Sequence, residues 1–165
     1  MGPEHCPLRV GITGHIHLTR GSVGPIAAAL RAELGRLSDH PVRGVTCLAD
    51  GTDQIFARVV LATGGTYEVI LPALDYRDTI TAAHRAEFDD LLGRASDVIH
   101  TGHRHSGTAA YLAANRELLS RVQWLIAVWD GSTGRHEAST DRTVDEARKR
   151  GIPTSVLWPE QARRS

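Results

Sequence analysis

The chain has 165 residues, with 19 Lys and Arg set against 19 Asp and Glu. A length near the usual ~100–150 residues of a domain suits a single unit able to bury its own core. Balanced charge argues against a global basic field for nucleic acid or a polybasic membrane surface. The two cysteines, Cys6 and Cys47, are too few for a disulfide framework.

The opening MGPEHCPLRV has neither the charged nor the apolar region of a signal peptide, and no run approaches the ~20 apolar residues of a membrane span. The expectation is one domain over 1–165, with 1–7 and 160–165 flexible. It is cytoplasmic, has no nucleic-acid or membrane partner, and needs no cofactor and no metal.

Short apolar runs alternate with helix-length amphipathic runs. Residues 8–13, LRVGIT, read as a strand, and 24–37 read as a helix on which Ile26, Leu30, Leu34 and Leu37 recur at spacings of three and four. A strand at 44–49 and a helix at 53–65 follow, the latter closed by a glycine pair, then a strand at 66–72 stopped by Pro72. Residues 72–95 are the least regular, a long loop of the kind that covers a site followed by a helical half. Beyond them come a short strand at 96–101, a helix at 107–122, a strand at 124–130, a helix at 143–151 and a last strand at 153–159. Strands that are continuously apolar and alternate with helices predict an α/β fold, single-domain and Rossmann-like. Its sheet is doubly wound and mainly parallel, of six or seven strands, with helices on both faces.

Ligands of such sheets sit beyond the carboxyl ends of the strands, where strand order reverses. The candidate residues therefore lie just after each strand. Gly11, Thr13, Gly14 and His15 form one wall, with glycines that let the backbone approach an anion or simply make a tight turn. Asp50, Gly51 and Asp53 form a second wall. Asp50 can take a ribose hydroxyl, and Asp53 is either a ligand contact or the cap of the next helix. After the strand at 124–130, Asp130 and Gly131 lead to Ser139 and Thr140, whose hydroxyls and first free N–H groups make an anion site at a helix start. Asp141 there suits the helix dipole but repels a phosphate. Arg135, Arg142 and Arg116 can supply counter-charge. The sequence holds no G-x-G-x-x-G, which argues against a conventional NAD site. His103 and His105 can be read as a pair of metal ligands, or as polar loop residues with no carboxylate at a metalloenzyme spacing. Trp124, Trp129 and Trp158 read as core residues, with Trp129 also able to wall a base. Tyr76 reads as a surface residue or a stacking partner.

The stretches VGITGHIHL, CLADGTDQIFA, AANRELL and LIAVWDGSTGRHEASTDRTVDEARKRGIP together resemble a superfamily of Rossmann-like domains. It includes the Lonely Guy phosphoribohydrolases and the DNA-processing protein A group and is often called SLOG; the likeness is closest to its small bacterial branch. The resemblance runs in order along nearly the whole chain, with 72–106 outside it. It implies a nucleotide or nucleotide-derived ligand and a homodimer or higher homo-oligomer. The enzymes of the group cleave the N-glycosidic bond of nucleoside 5′-monophosphates. Their phosphate loop, P-G-G-x-G-T-x-x-E, matches Ser139-Thr140 at its Gly-Thr end, and their catalytic Arg matches Arg116. Their catalytic Glu falls on Thr143. The branch's first loop, usually Gly-His-Arg, is here Gly14-His15-Ile16.

The expected function is recognition of a nucleotide or nucleotide-derived phosphate, with Arg116, Gly131, Ser139 and Thr140 taking the phosphate. The alternative is a nucleoside 5′-monophosphate N-glycosidase. There Arg116 would steady the sugar phosphate and a displaced carboxylate, Glu137 or Asp141, would support the oxocarbenium-like transition state. A third reading is a scaffold for self-association.

Overall fold

The computed structural model describes residues 6–165; positions 1–5 of the segment expected to be flexible lie outside them. Six strands alternate with helices: β1 (Arg9–Gly14), α1 (Val23–Leu37), β2 (Arg43–Thr46), α2 (Thr52–Ala62), β3 (Thr66–Leu71) and α3 (Tyr76–Thr79). The chain continues through α4 (Arg85–Gly93), β4 (Asp97–His100), α5 (Thr108–Arg121), β5 (Trp124–Val128), α6 (Thr140–Lys149) and β6 (Thr154–Leu157). The sheet order is β4-β3-β2-β1-β5-β6 and every pairing is parallel. The order therefore runs one way from β1 to β4 and reverses between β1 and β5.

Successive strand residues point to opposite faces, so each buried strand feeds two cores. Val10, Ile12, Val69 and Ile126 meet Ile26 and Leu30 of α1, Phe56 and Val60 of α2, and Phe88 and Leu91 of α4. On the other face Val45, Ile70 and Leu125 meet Ala114, Leu118 and Leu119 of α5 and Ala147 of α6. Both faces being covered is what makes the strands read as unbroken apolar runs.

Gly11 belongs to this packing. A Cβ there would fall 2.7 Å from Leu118 Cδ2 and 3.0 Å from Val122 Cγ1, so the missing side chain admits α5 onto β1 and does not line a ligand wall.

Three details differ from the sequence reading. Tyr76 is buried, edge-on to Phe88 and Tyr111 at centroid distances of 6.0 and 6.4 Å, so it anchors the long loop instead of lying on the surface. Helix α6 begins at Thr140, because Ser139 adopts an extended N-cap conformation with Asp141 in the first turn. The segment 160–165 is not loose. Ala162 is fully buried, Thr19 N donates to Arg163 O at 3.0 Å, Ser165 N donates to His17 O at 3.1 Å, and Leu18 bridges Arg164. A chain end orders when its backbone finds partners, and the β1–α1 loop supplies them.

At the amino end of the sheet Glu68 is buried in β3 and accepts from Arg9 at 2.9 Å and Arg43 at 3.0 Å, with Arg121 at 3.7 Å. One carboxylate thereby ties β1, β2 and α5. Glu68→Gln is expected to cost about 1–3 kcal/mol in urea denaturation, below the full value for a buried ion pair because the guanidinium groups reach water. An unchanged midpoint would remove this brace from the account.

Candidate functional site

The reversal of strand order places the ends of β1 and β5 side by side. Immediately beyond them His15 N donates to Val128 O at 3.2 Å, and His15 Nε2 lies 3.0 Å from Asp130 Oδ1. Ser132 N donates to the same oxygen at 2.9 Å. The Trp158 ring stands edge-on to the imidazole at 5.4 Å. Burial lowers the His15 pKa, against the opposing effect of its Asp130 bond, and favours the neutral ring. Burial works to raise the Asp130 pKa, but hydrogen bonds from Ser132 and His15 outweigh it and hold the carboxyl at about 2. The pair is thus an ionised acceptor beside a neutral imidazole. Thr13, half-buried, pairs with Ala127 one residue inside the edge.

The second wall is used differently from its expected role. A Cβ on Gly14 would fall 2.6 Å from Thr52 Cγ2 and 2.8 Å from Val128 O. Gly51, at φ +78, has Ile16 O only 2.5 Å from where its Cβ would stand. Through these two gaps Thr52 reaches the first loop, its Oγ1 donating to His15 O at 2.9 Å and its N–H at 3.3 Å. The start of α2 therefore grips the first loop. Asp50 accepts from Thr81 N at 3.2 Å and meets His84 Nδ1 at 3.2 Å, which ties down the 72–84 loop. Asp53 is buried and accepts from Ala49 N at 3.3 Å. Burial pushes its pKa up to about 7 despite bonds from Ala49, Cys47 and Thr46. Both carboxylates have backbone partners within the chain.

In the loop between β5 and α6, Gly131 has φ +85 and open space around it. The Ser139 hydroxyl donates to the Asp141 carboxylate. That hydrogen bond, with others from the N–H groups of Gly134, Arg142 and Asp141 itself, lowers the Asp141 pKa. The helix start expected to hold a phosphate is therefore met by the chain's own carboxylate.

Of the residues matched to the glycosidases, Arg116 and Thr143 gather elsewhere. Arg116, Glu137, Arg142 and Thr143 line a polar cleft of about 250 Å³ between α5 and α6. Thr143 Oγ1 donates to Ser139 O at 3.0 Å and accepts from Asn115 Nδ2 at 3.3 Å. A larger, shallow apolar groove of about 620 Å³ between α1 and β6 is lined by Pro25, Ala28, Val156 and the Trp158 ring, with no ionisable side chain. Among the described residues no three His, Cys, Asp or Glu side chains are grouped to hold a metal ion, and none of the helices is long and apolar enough to cross a membrane. His105 of the H-x-H stretch instead lies 3.5 Å from Asp75.

Sequence reasoning passed over Ser132, Asn115 and Arg164. Arg164 Nη1 lies 3.2 Å from Ser132 Oγ and 3.7 Å from Asp130 Oδ2. The first two lay inside stretches already singled out, whereas nothing in EQARRS signalled a return to the site.

No protein-family model matches the sequence, and none of the curated proteins does. Solved structures do share the fold. DNA processing protein A from Helicobacter pylori, described by its single-stranded DNA binding mode, superposes with TM-score 0.66 at 21% identity. The same protein from Streptococcus pneumoniae gives 0.67 at 14%. These matches cover 92% and 91% of this chain but only 65% and 50% of those proteins. The Moco carrier protein from Chlamydomonas reinhardtii gives 0.54 at 19% identity, over 92% of this chain and 76% of that one. The chain shares the Rossmann-like fold of these proteins. The expectation that nucleic acid is excluded as a partner does not stand, because a protein of this fold is described by how it binds single-stranded DNA. Net charge sums over the whole surface, whereas such binding depends on the local field.

Asp53 gives the site a pH signature. Its folded-state pKa of about 7 lies above the ordinary value of 3.8. The stability it permits is present below that ordinary value and is lost as pH rises toward about 7. Asp53→Asn should therefore flatten the fall in melting temperature between about pH 4 and about pH 7. An equal fall in both proteins would contradict the assignment.

Proposed function

We propose that the protein binds a nucleotide or nucleotide-derived phosphate at the carboxyl edge of the sheet, where β1 and β5 diverge. The observation that carries this reading is the His15–Asp130 pair across the reversal of strand order, its nitrogen and oxygen 3.0 Å apart. An ionised carboxylate accepts hydrogen bonds from ribose hydroxyls and repels phosphate, so the sugar belongs against Asp130. The open backbone at Gly131 leaves room for close approach. A homodimer or higher homo-oligomer is part of the same reading, motivated by the exposed Ile16, Val23 and Val156. Light scattering that returns only the 17.9 kDa monomer would remove that part.

Cleavage is the less supported extension. Arg116 and Glu137 share one cleft, yet Thr143 stands where the related enzymes carry their Glu, and Asp141 is engaged by Ser139 and backbone N–H groups. A hydrolase would rest on the exposed Glu137.

A second reading, single-stranded DNA, is supported by the Helicobacter pylori neighbour and by the exposed His103, Arg104, His105, Arg135 and Arg142, all on or next to loops at the same edge.

Incubation with AMP, GMP, CMP and UMP, read by calorimetry and chromatography, tests the first reading. The expected outcome is binding of at least one nucleotide, recovered intact, with affinity lost in Asp130→Ala. Release of free base that disappears in Glu137→Gln would shift the reading to the glycosidase. Failure of all four nucleotides to bind, together with salt-sensitive binding of a labelled oligonucleotide, would replace it with the DNA reading.

A further inference from the structure

We infer that Arg164, carried back to the switch point by residues 160–165, is the residue that binds the ligand's phosphate. The inference rests on the nucleotide reading above and assigns the anion-binding part of that same site.

A phosphate at this edge needs a donor-rich cation held against the strand ends, and neither the first loop nor the starts of α2 and α6 provide one. The first loop reads Gly14-His15-Ile16, in which His15 is held toward its neutral form and Ile16 carries no charge. The first N–H of α2 is taken by His15 O, and the start of α6 is met by Asp141. Arg116 lines the separate α5–α6 cleft.

Arg164 stands at the strand ends themselves, with Nη1 3.2 Å from Ser132 Oγ and 3.7 Å from Asp130 Oδ2. Its side chain is 49% exposed. A guanidinium has five N–H donors, and the contacts just given engage one nitrogen, so donors remain for a phosphate.

The backbone beneath it is fixed on both sides. Ala162 is fully buried, Arg163 N donates to Ser22 Oγ at 2.7 Å, and Ser22 Oγ donates back to Arg163 O at 3.0 Å. Ser165 N donates to His17 O at 3.1 Å. These anchors lie on the β1–α1 loop, the same loop that presents His15. A guanidinium whose backbone is already ordered loses less freedom on binding, which is the condition for a preformed anion site. The arrangement also separates the charges: Asp130 faces sugar hydroxyls, and the cation beside it faces the phosphate.

The test compares wild type, Arg164→Gln and Arg164→Lys in the full chain, with AMP, adenosine and inorganic phosphate titrated by calorimetry. Loss of a charge-assisted contact should weaken AMP by about tenfold to a hundredfold in the Gln variant, with Lys intermediate. Adenosine binding and melting temperature should change little, because the anchors are backbone groups and Ala162. Salt should weaken AMP binding to the wild type more than to the Gln variant. AMP affinity equal in wild type and Arg164→Gln would overturn this inference and leave the nucleotide reading intact. Equal losses for AMP and adenosine would make Arg164 a structural brace, not a phosphate ligand. A wild type that binds neither AMP nor phosphate would overturn both readings.

Discussion

The first turn of α2 packs against the end of β1, and the geometry of the carboxyl edge follows from that contact. It requires two positions without side chains. Gly14 lets Thr52 approach to within what would be 2.6 Å of a Cβ, and Gly51 turns at φ +78 beneath Ile16 O. Thr52 then donates twice to His15 O, and the first loop is held where His15 reaches Asp130. A helix start at this place is an ordinary location for an anion. Here its leading donors hold protein backbone instead.

Four carboxylates in the loops of this edge show how partners decide a role that sequence position leaves open. Asp50, Asp53, Asp130 and Asp141 each follow a strand or open a helix. Asp53 is buried deeply enough that desolvation outweighs the hydrogen bonds from Ala49, Cys47 and Thr46 and raises its pKa to about 7. Asp130 is partly exposed, the Ser132 hydrogen bonds and His15 more than offset its desolvation, and it stays ionised. Asp50 is spent on Thr81 and His84 of the long loop, and Asp141 on the start of its own helix. Of the four, Asp130 combines an ionised state with a place at the reversal of strand order.

The fold was legible because its signals are local and repeated: apolar runs two-sided enough for a covered parallel sheet, and helices with apolar residues at spacings of three and four. His15 and Asp130 could each be singled out because both directly follow strands, whereas their pairing needed the strand order that makes β1 and β5 neighbours. Other roles depend on contacts between distant segments. Gly11 looks like a ligand glycine until Leu118, in a helix far along the chain, is seen to fill the space its side chain would occupy. Asp50 looks like a ribose acceptor until the 72–84 loop folds over it. Arg164 sits in a polar stretch with no periodicity, and what orders it is a set of backbone hydrogen bonds to His17, Thr19 and Ser22, which leave no trace in residue type.

The same contacts bear on whether the site holds or cuts. Support of a developing oxocarbenium ion needs a carboxylate that faces the sugar and is free to interact more strongly as charge grows. Asp141 already accepts from its own helix, and Thr143 accepts from Asn115 while donating to Ser139, so the start of α6 is internally satisfied. Arg116 and Glu137 face a cleft between α5 and α6 whose lining includes neither His15 nor Asp130. The groups of the proposed binding site and those suited to cleavage therefore do not share one cavity. In this geometry the polar groups at the strand ends suit the proposed recognition of a nucleotide, and cleavage would require the loop between β5 and α6 to bring Glu137 across to the sugar.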